Sequence, residues 1–293
     1  ETTLIDEEVK RKIKMLSTLA PLHNPANLQG IVMAEEIFTT AKQIVVFDTA
    51  FHGTVPVKAK KYALPNNLYH DKGIQAYGFH GTSHKYVSEI ANEYLNKANT
   101  KLISIHLGNG CSITAIKNGK SIDHSMGFAP SNGLIMGTRS GDIDHSIIYY
   151  MVNILGYSLD DVNELLNKKS GMLGLTGFND LRDIEEEASN GNKDCILALE
   201  MNAYRIKKYI GAYTATMNGL DAIIFTAGIG ENSSLMRQLV CKNMDYFNFQ
   251  LDDTKNDLRS KNFREINTTD SKVKILVIPT NEELEIAKQV YEL

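Results

Sequence analysis

The sequence predicts an α/β fold built on a mixed sheet flanked by helices, and three observations carry that reading. Short apolar runs rich in β-branched residues alternate with longer stretches of helical period. Asn118-Gly119 between Ile116 and Ile122 is a two-residue hairpin signal, which makes part of the sheet antiparallel. Glycine corners follow the ends of two apolar runs, at Gly108-Asn109-Gly110 and Gly228-Ile229-Gly230.

The elements follow in order. Over 6–19, Val9, Ile13 and Leu16 recur at helical spacing behind an acidic start. Pro21 and Pro25 bracket a rigid loop containing His23, and a second helix is predicted over 27–42 with Leu28, Ile31, Val32 and Ile37 inward. The run 43–47 reads as a buried strand ending at Asp48. Thr82 and Ser83 suit the N-cap of a helix reaching 96, because a hydroxyl there accepts from an otherwise unpaired backbone N–H. Strands are predicted over 101–106, 111–116, 222–226 and 273–278. Helices are predicted over 143–155, 159–167, 180–189, 194–217 and 281–291, the fourth stopped by Gly219. The natural break lies near 48–53, and the closing helix is expected to pack back on the amino-terminal portion.

Composition excludes several function classes. The chain has 293 residues, 43% hydrophobic and 23% charged, with a formal net charge of -4. That balance excludes nucleic-acid binding through a broad positive field, so an anionic ligand needs locally placed cations and backbone amides. Cys111, Cys195 and Cys241 are far apart and lack metal-ligand spacing, so they read as reduced thiols. No apolar run approaches a membrane span, and residues 1–12 lack the apolar core of a signal peptide, so no membrane association and a cytoplasmic location are expected by default.

Five stretches have chemical potential. In Ser104-Ile105-His106-Leu107-Gly108-Asn109-Gly110-Cys111-Ser112 the glycines let backbone amides approach a phosphate, although a plain hairpin turn explains them too. In Ile223–Ser234 an apolar strand enters a glycine loop and Asn232 or Ser233 caps a helix, which suits a nucleotide or a simple β-α turn; with no third glycine it is a poor dinucleotide fingerprint. Arg139, among small residues in Met136–Asp144, offers a donor fork for phosphate or carboxylate, or else pairs with Asp142. Asp48 at a strand's carboxyl end either orients a ligand or caps a turn. In Tyr77–His84, His80 sits in a glycine-flanked loop and could donate to an anion, while His84 reads as a surface residue of the first helical turn; a shared metal site for the two is unfavourable.

Taken together and in this order, these stretches resemble the acetate kinases. The resemblance runs from Ala20-Pro21-Leu22-His23-Asn24-Pro25 to Pro279-Thr280-Asn281-Glu282-Glu283-Leu284. Between these lie Phe47-Asp48-Thr49-Ala50-Phe51-His52, Tyr77–Val87, His106–Gly110, Met136–Asp144 and Phe225–Ser233. It implies the ribonuclease H-like fold shared with sugar kinases, chaperone ATPases and actin: two domains closing on a nucleotide cleft. It also implies reversible phosphorylation of acetate by ATP with Mg²⁺ (or Mn²⁺), by direct in-line transfer within a homodimer. By motif, Asp48 resembles the acid that orients or deprotonates the carboxylate, Arg139 the cation on substrate and phosphoryl, and His80 the transition-state stabiliser. Nucleotide contacts are implied at His106, Leu107, Gly108, Asn109, Gly110, Asp180, Leu181, Arg182, Gly228, Ile229, Gly230, Glu231 and Asn232. Glu282 resembles the metal ligand, and His23 is a substrate-loop candidate.

The resemblance places Glu1 about a hundred residues into the family pattern, roughly the length of a small domain. The expectation is therefore an incomplete N-terminal domain, formed by 1–50 with 280–293, beside a nucleotide-binding domain over 51–279. Residues 1–293 alone are expected to bind nucleotide weakly and to turn over slowly. His145 stands where the family commonly has proline, and Ala129-Pro130-Ser131-Asn132 replaces a more usual Thr-Pro-Leu-Glu, both near Arg139. Two alternatives remain: a propionate or butyrate kinase, since one methylene changes discrimination by only ~1–3 kcal/mol, and a nucleotide-binding module without catalysis.

Overall fold

The computed structural model describes residues 2–18 and 24–293, so the His23 candidate lies outside the described residues. A small two-stranded sheet, β1 (Thr3–Leu4) against β2 (Ile44–Val45), precedes a central six-stranded one. The central strands are β3 (Lys101–Leu107), β4 (Cys111–Lys117), β5 (Lys120–His124), β6 (Ala222–Thr226), β7 (Arg264–Glu265) and β8 (Lys274–Val277), in the order β5-β4-β3-β6-β8-β7. Strands β3, β6 and β8 are parallel, while β4, β5 and β7 pair antiparallel. This is the mixed, helix-flanked sheet expected. The β4–β5 connection confirms the Asn-Gly signal: Asn118 and Gly119 take φ of 53° and 74°, a left-handed pair that suits a hairpin matching strand twist.

One sheet face is apolar throughout. Ile103, Ile105 and Leu107 of β3, Ile113 of β4, and Ile223 and Phe225 of β6 pack against the helix Lys193–Met217. On that helix Ala198, Ala203, Ile206, Ile210, Tyr213 and Met217 recur at helical spacing and form the inward stripe. Asn192 caps its start by accepting from the backbone N–H of Asp194 and Cys195. The opposite face is covered by the helix Gly81–Leu95, whose Val87 and Ala91 meet Leu102, Ile116, Ala222, Ile224, Leu276 and Ile278. All three cysteines are free and buried. Among the described residues, no helix is long and apolar enough to cross a membrane.

Several expectations need correction. The run 43–47 is not a buried strand of the main sheet. Only the two residues of β2 are extended there, half-buried, and they pair with β1 alone. The second helix is Asn24–Ile37, and Val32 and Ile37 on it are exposed, because what it packs on is the short helix Glu7–Met15 and not a sheet. The predicted 143–155 helix is confined to Ser146–Asn153, and the helix at Gly171–Thr176 has no counterpart in the sequence reading. The closing helix Glu282–Tyr291 reaches the amino-terminal portion through Thr2 and Gln289, and the helix Gly81–Leu95 through Lys85 and the buried Glu285.

Candidate active site

The site begins with an alternation in β3. Ile103, Ile105 and Leu107 enter the apolar core, so Ser104 and His106 point to the other face. Register places His106 opposite Ser112 and Ser104 opposite Thr114 of β4, so the carboxyl half of that face is polar. The first turn of the helix Gly81–Leu95 lies over it and contributes Ser83 and His84. His106 Nδ1 bonds Ser83 Oγ at 2.9 Å, and His84 bonds Ser104 Oγ through Nδ1 (2.8 Å) and Ser112 Oγ through Nε2 (2.7 Å). His84 is therefore not the surface residue expected; it is wholly buried.

His80 occupies the position before that helix, with φ 55° and ψ 28°. A left-handed backbone costs a residue with a side chain about 1 kcal/mol, so it must be held by its surroundings. The holders are specific. The backbone N–H of His80 donates to Asp48 Oδ2 (2.7 Å), that of Thr82 to Oδ1 (3.3 Å), and that of Gly81 to the Asp48 carbonyl (2.8 Å). Asp48 thus caps the helix from a distant loop. On the other side, Phe79 donates its N–H to His124 Nε2 (3.1 Å) and its carbonyl accepts from His52 Nε2 (2.9 Å). The His80 ring then stacks on His106 with centroids 4.2 Å apart, and its Nδ1 lies 2.9 Å from Ser112 Oγ.

Gly110 locates the remaining partner. A Cβ added there would lie 2.9 Å from Arg139 Nη2 and 3.2 Å from His80 Nε2. The guanidinium and the imidazole therefore both come up against one glycine, where a side chain would crowd them. Arg139 rides on a loop fixed by backbone bonds from Gly137 to Asn109 (3.0 Å), Met172 to Met136 (2.9 Å) and Ser170 to Thr138 (3.0 Å). Its guanidinium donates to the Pro130 carbonyl. The alternative pairing with Asp142 does not form: Asp142 instead accepts from Gly133 N–H and Tyr209 Oη and lies near Arg205. Pro130 is the one residue of the 129–132 stretch that matches the more usual Thr-Pro-Leu-Glu, and its neighbours Ala129 and Ser131 carry the departure beside this contact.

The two glycine corners meet. Parallel β3 and β6 end side by side, His106 opposite Thr226, and a Cβ at Gly108 would lie 4.0 Å from Ala227 Cβ. Beyond β6 the chain does not form an open loop but a helical turn, Ala227–Asn232, entered through Ala227 at φ 64°. Asn232 Nδ2 donates to Gly228 O, and Glu231 Oε1 accepts from Thr280 N–H (3.1 Å), which ties the turn to the end of β8. Arg237, almost entirely buried, donates to the carbonyls of Gly230 (2.9 Å) and Glu231 (3.0 Å) and to Asn256. Ser233 caps the next helix and donates to Glu185 (2.5 Å), so the helix Leu181–Ser189 stands beside the turn. Asp180 caps that helix and pairs with the exposed Arg182 (2.5 Å) at the rim. The Leu107 and Leu181 side chains lie in the core and Ile229 packs against it, so a ligand could meet their backbone only.

The electrostatics follow from burial. Burial, and then the neighbouring His80, push His106 down to about 3; burial pushes His52 down to about 4. His84 and His124 are held well below the ordinary histidine range by burial and the surrounding imidazoles. All four are neutral at physiological pH. Glu282, at the start of the closing helix, is raised by burial first and then by the charges of Asp48 and Glu283.

Asp48, His80, His106, Gly108, Gly110 and Arg139 are thus gathered at the carboxyl ends of β3 and β6, with Glu282 within electrostatic reach. That is where ligands collect in open α/β sheets. Sequence reasoning missed His52, His84, His124, Ser83, Ser104, Ser112 and Arg237. The available signal was polar Ser104 and His106 alternating with Ile103, Ile105 and Leu107 in a central strand.

Comparison with known proteins identifies the family. The acetokinase family model matches residues 1–288. The chain is 68% identical over 292 residues to an acetate kinase of Flavobacterium johnsoniae, covering 100% of this chain and 74% of that protein. It superposes on a crystal structure of Porphyromonas gingivalis acetate kinase with a TM-score of 0.94 at 44% identity, covering 99% of this chain and 74% of that one. A propionate kinase from Francisella tularensis gives the same TM-score and coverage at 45% identity. A carboxylate-kinase fold, glycine corners that meet at its strand ends and a match along nearly all of its length place this chain in the acetokinase family.

Proposed function

We propose that this protein is an acetate kinase that moves a phosphoryl group between ATP and acetate by direct in-line transfer. The observation that carries this reading is the convergence of His80 and Arg139 on Gly110, beside Asp48. Phosphoryl transfer asks a protein for alignment and for positive charge at the equatorial oxygens. In this reading Arg139 supplies the fixed charge, its fork suited to carboxylate and phosphoryl oxygens. His80 donates from Nε2 to the migrating group, and the backbone amides of Gly108–Gly110 and Gly228–Asn232 line the nucleotide. Family membership brings ATP/ADP as the co-substrate.

Asp48 serves here as an orienting acid. Acetate is already ionised near neutral pH, so no proton needs removing. The carboxylate of Asp48 is spent on the N–H groups of His80 and Thr82, which hold the histidine in its left-handed corner.

A divalent cation, Mg²⁺ or Mn²⁺, fits the same cleft. Among the described residues no group of three or more His, Cys, Asp or Glu is placed to hold a metal. Mg²⁺ bound with a nucleotide needs only one or two carboxylates, however, and takes its other ligands from phosphates and water. Glu282, raised partly by the charge of Asp48, is a carboxylate whose ionisation a cation would favour. When bound, the ion would neutralise charge on the nucleotide phosphates.

We read residues 51–279 as the nucleotide-binding domain, with 1–50 and 280–293 forming a second unit. A homodimer is supported by exposed apolar residues, Ile147, Tyr149 and Tyr150 on the helix Ser146–Asn153 with Ile154 and Leu155 just beyond it.

The test is ATP-dependent formation of acetyl phosphate by the intact protein, trapped as the hydroxamate, together with kcat/KM for acetate and propionate. Turnover with acetate preferred supports the proposal; nucleotide binding without turnover rejects it. The second reading, a propionate kinase, is favoured by the Francisella structure and gains support if propionate has the higher kcat/KM.

A further inference from the structure

Ser112 Oγ stands between two imidazoles, 2.9 Å from His80 Nδ1 and 2.7 Å from His84 Nε2. A serine hydroxyl has one hydrogen, so it donates to one ring and accepts from the other. His84 is wholly buried and neutral, so it too has one N–H, and its second nitrogen lies 2.8 Å from Ser104 Oγ. The four groups therefore form a chain with only two self-consistent directions.

The far end decides between them. In one direction Ser104 donates to His84 Nδ1, His84 Nε2–H donates to Ser112, and Ser112 donates to His80 Nδ1. Every buried hydrogen then has an acceptor. In the reverse direction Ser104 accepts from His84, and its own O–H must donate elsewhere. Ser104 is wholly buried, and among the described residues its Oγ has no partner other than His84. A buried hydroxyl hydrogen without an acceptor has lost its water and gained nothing in return, which disfavours that direction. The forward direction is preferred.

We propose that Ser104, His84 and Ser112 are positioning residues that hold neutral His80 as the tautomer protonated on Nε2. That nitrogen is the one beside Gly110 and Arg139. The relay moves no proton during turnover; it sets which ring nitrogen presents a hydrogen to the cleft. With the opposite tautomer, His80 would offer a lone pair to a migrating phosphoryl group and repel it. The functional part of this inference rests on the acetate kinase reading, whereas the tautomer itself does not.

The test is long-range ¹H–¹⁵N correlation of the intact protein labelled at histidine, recorded above the ordinary histidine pKa range. His80 is assigned by its disappearance in His80→Gln. The expected result is a protonated Nε2 and a bare Nδ1, with a mixture of tautomers in Ser112→Ala. A His80 protonated on Nδ1 in the intact protein, or a spectrum unchanged by Ser112→Ala, overturns the proposal. If Ser112→Ala does not fold, the spectrum of the intact protein decides alone. In kinetics, Ser112→Ala is expected to lower kcat about 10- to 100-fold, as loss of an outer-shell partner does, with KM for ATP and acetate little changed. An equal rise in KM at constant kcat also counts against it. Because the spectrum needs no turnover, failure of the tautomer is separable from failure of the acetate kinase reading.

Discussion

The two faces of the central strands differ in kind although both are dry. On one, Ile103, Ile105, Ile113, Ile223 and Phe225 are wholly buried against a long helix. On the other, Ser104, Ser112 and Thr114 of the same strands are equally buried, yet Ser104 and Ser112 bond His84 and Thr114 bonds His124. Apolar burial stabilises at roughly 25 cal/mol per Å², while a buried polar group is neutral at best once paired and costly otherwise. The polar face therefore contributes little to stability for its area. What it does contribute is direction: each imidazole has its neighbours chosen for it, and His80 is held in an unfavourable backbone conformation by its surroundings. Burial alone does not separate core from site here; the hydrogen-bond partners do.

The sharpest way to break this contrast is Arg139→Ala. It is expected to lower kcat/KM at least about a thousandfold, as loss of a charge at the transferring group does, while the denaturant midpoint changes little. A variant that keeps full activity removes Arg139 from the transferring constellation. Phe225→Ala is its counterpart on the apolar face, and should cost about 3–5 kcal/mol in urea unfolding while leaving KM for the folded fraction close to normal. If instead Phe225→Ala folds normally and loses activity, the division between the faces is wrong.

An intermediate effect comes from the buried histidines. Unfolded histidine titrates near 6.5, whereas His52 is held at about 4 and His106 at about 3 in the fold. As pH falls below about 6.5 the unfolded chain takes up protons that the folded one refuses, so stability is full above that value and declines on acidification through the window down to about 4. Each such histidine contributes about 1.4 kcal/mol per pH unit in that window. Urea midpoints across the window should fall steeply, and His52→Gln should flatten the slope by about one proton. A slope unaffected by that change would mean His52 is not neutral in the folded protein.

Much of the contrast is legible in the sequence. The apolar runs of β3, β4, β6 and β8, the Asn-Gly hairpin and the long helix are visible there because period and turn chemistry are local. Asp48, His80 and Arg139 are visible through motifs. His84 is easily misread because a position in a first helical turn is usually wet, and only the strand ladder beneath it makes it dry. Arg237 escapes because its partners, the carbonyls of Gly230 and Glu231 in the preceding turn and Asn256 from farther along the chain, carry no sequence pattern of their own. In the amino-terminal helices the failure runs the other way. Val32 and Ile37 fit an inward stripe, but periodicity states which face is apolar and not what lies against it.

The smallest and most discriminating change is Gly110→Ala. The backbone there is not in the left-handed region, so the substitution brings no φ strain, and its methyl would meet Arg139 Nη2 at 2.9 Å and the His80 ring at 3.2 Å. Both are side-chain atoms that can shift by a few tenths of an ångström, so stability should change by no more than about 1 kcal/mol. Misplacing a transferring constellation by that much is expected to lower kcat about tenfold, with KM for ATP affected less than kcat. A loss of stability without a loss of rate would show that Gly110 is needed for the hairpin alone. The placement of the imidazole and the guanidinium beside Gly110 would then not be what transfer depends on.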